Sequence, residues 1–100
     1  MSGPQDELRV VHRPEQSRFE IHVGDALAGL TEYRDEPGRR VFTHTEIDPL
    51  FSGRGLGTRL IGFALGETRR EGLRVVPVCS FVAAFVERHP EYRDLVAPTS

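Results

Sequence analysis

The chain has 100 residues, enough for one domain with a modest hydrophobic core but too few for a separate substrate-binding domain. Its 38% hydrophobic and 28% charged residues are ordinary for a globular protein, and its net charge of -2 argues against a nucleic-acid partner. All 13 basic residues are arginine, which excludes a lysine Schiff base and a Walker-type phosphate site within this chain.

The single cysteine, Cys79, excludes an intramolecular disulfide, and no apolar run approaches the roughly 20 residues that a membrane-spanning helix needs. Residues Met1 to Glu7 are polar and acidic and lack the apolar stretch of a signal peptide. We therefore expect a cytoplasmic protein with no membrane partner. Residues 1–7 would form a flexible N-terminus, residues 8–96 one domain and residues 97–100 a tail.

The first half of the chain carries the alternating apolar and polar pattern of β-strands, interrupted by turn residues. The predicted strands are Leu8–Arg13, Phe19–Val23, Ala26–Arg34 and Arg40–Ile47. The turns between the last three would lie at residues 24–25 and 35–39, where glycine, aspartate and proline concentrate. An antiparallel meander is the expected arrangement.

From Gly55 the apolar spacing changes to that of a helix, which Gly72 would end. The residues predicted to face the core are Leu56, Leu60, Ile61, Ala64 and Leu65. Residues 73–78 then form an apolar, β-branched run, and a strand after a helix suggests a crossover and parallel pairing. Pro77 has no N–H for a ladder, so it must lie at an edge or where two strands diverge.

A second helix is predicted to begin with Ser80 as its cap and to end at His89-Pro90. Its core-facing residues would be Phe81, Ala84 and Phe85, which share one helical face. Residues 91–96 would form a last short element, docked by its tyrosine and leucine.

The segment Ser52–Thr58 contains three glycines between a strand and a helix, where backbone N–H groups and the helix dipole favour an anion. Arg54 and Arg59 would add positive charge at the same place. A Walker site is excluded because no Gly-Lys-Ser/Thr follows, and a dinucleotide site because the third glycine of its motif is missing. The pyrophosphate of coenzyme A remains, together with the alternative of a glycine-rich helix entry that binds nothing.

These residues resemble the Gln/Arg-x-x-Gly-x-Gly/Ala motif of the Gcn5-related N-acetyltransferases, with Ser52 in place of the usual Gln or Arg. Further strings are similar to the minimal members of that family, whose length is close to that of this chain. They are His44-Thr45-Glu46, the glycine turn, the Val-Pro-Val-Cys-Ser-Phe run and the His-Pro-Glu-Tyr string. The resemblance covers residues 19–96.

The resemblance implies an α/β (α+β) fold: a mixed, mostly antiparallel sheet with a splayed parallel strand pair and two main helices. It also implies that the pantetheine arm of acetyl-CoA enters between the diverging strands. The residues that it places against acetyl-CoA or coenzyme A are Ile47, Gly53, Arg54, Gly55, Leu56, Gly57, Thr58, Arg59 and Cys79. No metal site is predicted.

Three residues are candidates for catalysis. His44 and Glu46 lie two apart on one strand and so share a face, where either could take a proton from an amine. The alternatives are a core histidine and a glutamate that buttresses the glycine turn. Cys79 precedes a helix N-terminus, which favours the thiolate. In the minimal family this cysteine is a candidate acyl acceptor; the alternative is a buried apolar cysteine.

Two departures from the larger members of the family bear on the function. Val86 stands where their general-acid tyrosine would be, which leaves the proton donor for the leaving thiolate unassigned; Ser80 or Cys79 itself could take that role. No helices are predicted between Arg9 and Val41 to enclose an acceptor, so an open site and an unidentified protein or peptide amine are expected. The leading hypothesis is therefore an acetyl-CoA-dependent N-acetyltransferase. The alternatives are a non-catalytic CoA- or acyl-CoA-binding module and an interaction domain without a ligand.

Overall fold

A computed structural model describes residues 7–98 of the chain. Residues 1–6 of the expected flexible N-terminus and residues 99–100 of the expected tail lie outside the described residues. The strands are β1 (Leu8–Arg13), β2 (Arg18–Val23), β3 (Ala26–Glu36), β4 (Arg39–Ile47) and β5 (Arg74–Pro77). The α-helices are α1 (Leu56–Arg70) and α2 (Ser80–Arg88), and short 3-10 helices span Pro14–Gln16, Pro49–Phe51 and Pro90–Leu95.

The five strands form one sheet in the order β1-β2-β3-β4-β5. The first four strands pair antiparallel, and β4 pairs with β5 in parallel. The predicted meander, the crossover through α1 and the parallel pair are therefore confirmed. The chain has the mixed, mostly antiparallel sheet and the two main helices that the sequence implied.

The hairpin between β3 and β4 is tighter than the sequence predicted. The expected turn covered residues 35–39, but the strands continue on both sides and leave only Pro37 and Gly38 in the turn. Gly38 has a φ of 75°, a conformation that glycine adopts without strain. Asp35 stays in the strand because its carboxylate pairs with the buried guanidinium of Arg40.

Helix α1 lies on one face of the sheet and fills the core. All five residues predicted for its apolar face are buried, and Gly72 follows its end with a φ of 75°. Aromatic side chains of the strands complete the core beneath it, among them Phe19, Tyr33 and Phe42. Hydrophobic burial between this helix and the sheet is therefore the main source of stability.

Helix α2 differs from its prediction in two respects. Its N-cap is Cys79 rather than Ser80, which is the first helical residue, and no side chain caps this end. The buried residues of the helix are Val82, Phe85 and Val86. Phe81 and Ala84, which were predicted to face the core, are exposed and line a groove between α1 and α2, because α2 packs against α1 as well as the sheet.

Strand β5 is the outer strand of the sheet and is shorter than the predicted run of residues 73–78. Pro77 is its last residue, where the missing N–H costs no ladder bond, as expected. On the outer side of β5, Val96 forms a bridge to Val75 and Ala97 donates its N–H to the Val75 carbonyl at 2.8 Å. The contacts of the domain thus extend to Ala97, one residue into the predicted tail.

Candidate functional site

The glycine turn leads from β4 into α1. Gly53 and Gly55 have φ values of 79° and 74°, which disfavour any residue with a Cβ. Gly55 is also the N-cap of α1, so no side chain accepts a bond from the first N–H groups of the helix. A Cβ added at either glycine would meet no atom within 4 Å, so no other part of the described chain covers the side of the turn where a side chain would project. This arrangement suits an anion with several oxygens.

A cavity of about 270 Å³ adjoins the turn. Its lining includes six of the residues predicted to contact the cofactor: Ile47, Gly53, Gly55, Leu56, Gly57 and Thr58. The other three predicted contact residues, Arg54, Arg59 and Cys79, do not line it. The guanidinium of Arg54 lies 5.6 Å from the centre of the Phe51 ring, and this arginine lines a neighbouring cavity with Leu8 and Val23. The positive contribution at this cavity therefore comes from backbone amides.

Phe81 belongs to the same cavity and was missed as a site residue, because its spacing on α2 was interpreted as a core position. Its ring lies against Gly57, where an added Cβ would come within 2.3 Å of the ring Cζ. Phe81 and Thr58 also line a second cavity of about 200 Å³ between α1 and α2. The two cavities thus meet at Phe81. The signal available in the sequence was the glycine at position 57, since a buried helical glycine often admits a large neighbour.

The parallel strands separate next to this cavity. The pairing of β4 with β5 ends at Phe42 and Pro77, although β4 continues to Ile47. One further bond joins the two segments, from the Cys79 N–H to the Phe42 carbonyl at 2.9 Å. Beyond this point the last part of β4 has no β5 neighbour, and its free edge leads to the glycine turn. We call the gap beside residues 43–47 the splay.

Cys79 lies at the closed end of the splay. Its side chain is half-buried and packs against the core. The sulfur donates a hydrogen bond to the Thr45 hydroxyl at 3.4 Å, and Thr45 is in turn bonded to the fully buried Thr31 at 2.8 Å. Cys79 is therefore neither fully buried nor freely exposed.

His44 and Glu46 are brought together on β4, with 2.7 Å between His44 Nε2 and the Glu46 carboxylate. Their side chains are 53% and 64% exposed, so His44 is not a core histidine. The Glu46 carboxylate bonds to His44, and no hydrogen bond joins it to the glycine turn within the described part of the chain. Because side chains alternate along a strand, this pair projects from the face opposite to Thr45 and the Cys79 sulfur. The splay therefore separates a thiol on one face from an imidazole–carboxylate pair on the other.

Two properties of residues 7–98 bear on the function. No helix within these residues combines the length and apolar character needed to cross a membrane. The same residues contain no group of three or more histidine, cysteine, aspartate or glutamate side chains arranged to hold a metal ion.

Comparisons with known proteins agree with this geometry. The chain is 29% identical to Protein NATD1 of Bos taurus over 91% of its own length and 84% of that protein. Its fold is similar to the solution NMR structure of a GCN5-like protein from Staphylococcus aureus. That similarity has a TM-score of 0.69, covers 96% of this chain and 92% of the other, and carries 19% sequence identity.

Residues 18–95 match the sequence model of a family described as GCN5-related N-acetyl-transferase. The matched segment contains the parallel strand pair, the glycine turn and both helices, which are the elements that build the site. The chain therefore belongs to the GCN5-related N-acetyltransferase family and is an enzyme of the N-acetyltransferase class.

Proposed function

We propose that the protein transfers an acetyl group from acetyl-CoA to a protein or peptide amine, with the thioester held in the splay. The observation that carries the proposal is the junction of three features at one place. The free edge of β4, the open amides of the glycine turn and the Cys79 sulfur all border the gap where β4 and β5 separate.

The glycine turn fits the pyrophosphate of coenzyme A. Gly53 and Gly55 place no side chain over the turn, and the 15-residue helix α1 begins there with its positive dipole end. The cavity continues from the turn to Ile47 at the end of β4, which gives an extended pantetheine arm a path into the splay. Backbone groups of β4 that have lost their β5 partner are available to bind this arm and to polarise the thioester carbonyl.

The position of Cys79 supports a covalent route. The Cys79 thiolate would attack the acetyl carbonyl carbon, the bond from that carbon to the CoA sulfur would break, and the CoA thiolate would take a proton from water or from the Ser80 hydroxyl. The acceptor amine would then attack S-acetyl-Cys79, release the Cys79 thiolate and keep the acetyl group as an amide. Ser80 follows Cys79 directly and is exposed at the start of α2.

The acceptor would approach from the opposite face of the sheet. His44 and Glu46 lie exposed there, and the carboxylate can hold the imidazole with one nitrogen free to accept the amine proton. No helix between β1 and β4 encloses this face, because that segment forms strands and one short 3-10 helix. An amine carried on a protein or peptide suits so open a site.

We also propose that residues 8–96 act as one catalytic domain in the cytoplasm, where a free cysteine stays reduced.

Coenzyme A binding tests the first part of this proposal. Titration calorimetry with CoA is expected to give saturable binding to the wild-type protein and a loss of at least tenfold in affinity for Gly55→Val, which cannot adopt the φ of 74° without strain. Gly66→Ala is the matched control, because Gly66 lies inside α1 and an added Cβ there meets nothing within 4 Å. Equal affinity of all three proteins would contradict a role of the turn in binding.

A CoA-binding module without catalysis is the second candidate, and the position of Val86 favours it. Val86 is buried in the core, and the resemblance aligns it with the general-acid tyrosine of larger family members. Such a module would bind CoA through the same turn but leave acetyl-CoA intact in the presence of peptide amines. Release of free CoA, followed with a thiol reagent, separates the two candidates.

A further inference from the structure

A line of three polar side chains runs from the splay into the core. The sulfur of Cys79 lies 3.4 Å from the hydroxyl of Thr45, which lies 2.8 Å from the hydroxyl of Thr31. The Thr31 hydroxyl is also 3.4 Å from the His44 carbonyl oxygen. Thr31 is fully buried, and Thr45 and Cys79 are half-buried. The buried Thr31 hydroxyl on β3 is thus connected through Thr45 to the one thiol of the chain, and a buried polar group of this kind needs a physical reason.

The direction of the bonds in this line follows from the donors available. When Cys79 is a thiol, its S–H donates to Thr45, the Thr45 O–H donates to Thr31, and the Thr31 O–H donates to the His44 carbonyl. Each group then uses its single proton once. When Cys79 loses its proton to water, the first donor disappears, but the two hydroxyls can rotate. Thr45 can then donate to the sulfur anion while Thr31 donates to Thr45.

We infer that Thr45 is a positioning residue for Cys79: its hydroxyl stabilises the thiolate by reversing its hydrogen bond, and the buried Thr31 supplies the replacement bond. This inference rests on the proposed function, since it assigns Thr45 to the covalent route through Cys79. The rotation of two hydroxyls needs no movement of the backbone. A hydrogen bond to an ionised acceptor is roughly twice as strong as one between neutral groups, so the reversal favours the ionised form.

The surroundings of Cys79 leave Thr45 as the side chain that performs this task. Within residues 7–98, Thr45 is the side chain with a hydrogen bond to the sulfur. Helix α2 adds its N-terminal dipole, because Cys79 is the N-cap residue. His44 and Glu46 project from the other face of β4 and pair with each other. Thr45 thus connects the reactive sulfur to the rigid centre of the sheet.

The test measures the rate of alkylation of Cys79 by iodoacetamide as a function of pH, which reports the thiolate fraction without any acetyl-CoA. Thr45→Val keeps the shape of the side chain and removes the hydroxyl. We expect it to move the midpoint of the alkylation profile upward by about one pH unit. Thr45→Ser is expected to restore the wild-type midpoint, and Thr31→Val to give a smaller upward shift.

Thr43→Val is the matched control, because the Thr43 hydroxyl lies on the same strand but bonds to the Glu32 carbonyl. Thr45→Ala, which also removes the hydroxyl, provides the same comparison if the valine variant does not fold. A midpoint unchanged by loss of the Thr45 hydroxyl, or a shift that serine does not reverse, would overturn the inference. A shifted midpoint in a protein that transfers no acetyl group would instead refute the proposed function and leave the role of Thr45 intact.

Discussion

At the scale of single residues, the acceptor half of the proposed reaction depends on His44 and Glu46. Sequence spacing predicted that they share a face, and the structure adds the 2.7 Å contact between them and their exposure. The sequence could not predict that the sheet separates this pair from the Cys79 sulfur. Spacing along β4 shows which of its own residues share a face, but it does not show on which face Cys79, at the start of α2, places its sulfur. The thiol and the imidazole–carboxylate pair therefore lie on opposite faces of the sheet, on either side of the place where we propose that the thioester binds.

We expect His44→Asn to lower kcat/KM for amine acetylation by about 10²-fold, because the amine would lose its general base. Glu46→Gln should cost less, since it removes only the carboxylate that orients the ring. The measurement is the pH dependence of kcat/KM with a peptide amine at saturating acetyl-CoA. Thr43→Val serves as a control on the same strand. Loss of activity without any change in the pH profile would argue that His44 has a structural role.

At the scale of elements, the sequence located α1 well because its apolar residues follow a clean helical period up to Gly72, and it located β1 well because Pro14 marks the end of that strand. It failed at the hairpin of residues 35–39, where an ion pair between Asp35 and Arg40 holds polar residues in the strands. It also misplaced two of the three predicted core residues of α2: Phe85 is buried as expected, but Phe81 and Ala84 are exposed and line the groove beside α1. The first error comes from an ion pair across one hairpin and the second from a contact between two helices, and each contact overrides a local pattern.

The contact between Gly57 of α1 and Phe81 of α2 gives a prediction at this scale. In Gly57→Ala the new Cβ would lie 2.3 Å from the ring Cζ, so the ring must move. We expect a loss of roughly 1 to 2 kcal/mol in the free energy of unfolding, measured with urea, together with weaker CoA binding. In the double variant Gly57→Ala/Phe81→Ala the clash is absent. Gly57→Ala should therefore cost little stability when it is made in the Phe81→Ala protein. If it cost as much there as in the wild type, the packing explanation would fail.

Over the whole molecule, the sheet has a face covered by α1 and a polar face, and the polar face has its own stabilising cluster. Glu20 on β2 has a side chain that is 6% exposed. Burial by itself raises the pKa of this carboxyl, but hydrogen bonds with His22, Arg18 and Arg13 outweigh it and lower the pKa to about 2. The folded state therefore holds Glu20 ionised at pH values where the unfolded chain has begun to take up protons.

This difference predicts a loss of stability in acid. Because the pKa of Glu20 falls from its usual 4.5 to about 2 on folding, its contribution is complete above pH 4.5 and disappears as the pH falls toward 2. The contribution is on the order of 3 kcal/mol. Urea unfolding of the wild type and Glu20→Gln should differ by this amount at neutral pH and converge near pH 2. A difference that stays constant over this range would show that packing, and not ionisation, accounts for the effect.

The most direct test of the central claim is the intact mass of the protein after incubation with acetyl-CoA in the absence of an amine acceptor. We expect one added acetyl group on the wild type, located on Cys79 by peptide mapping, absent from Cys79→Ala and removed when a peptide amine is added. An unmodified wild-type protein that still releases CoA with a peptide amine would contradict the covalent route. A protein that neither gains an acetyl group nor releases CoA with any peptide amine would contradict the assignment of the splay as an acetyl-transfer site.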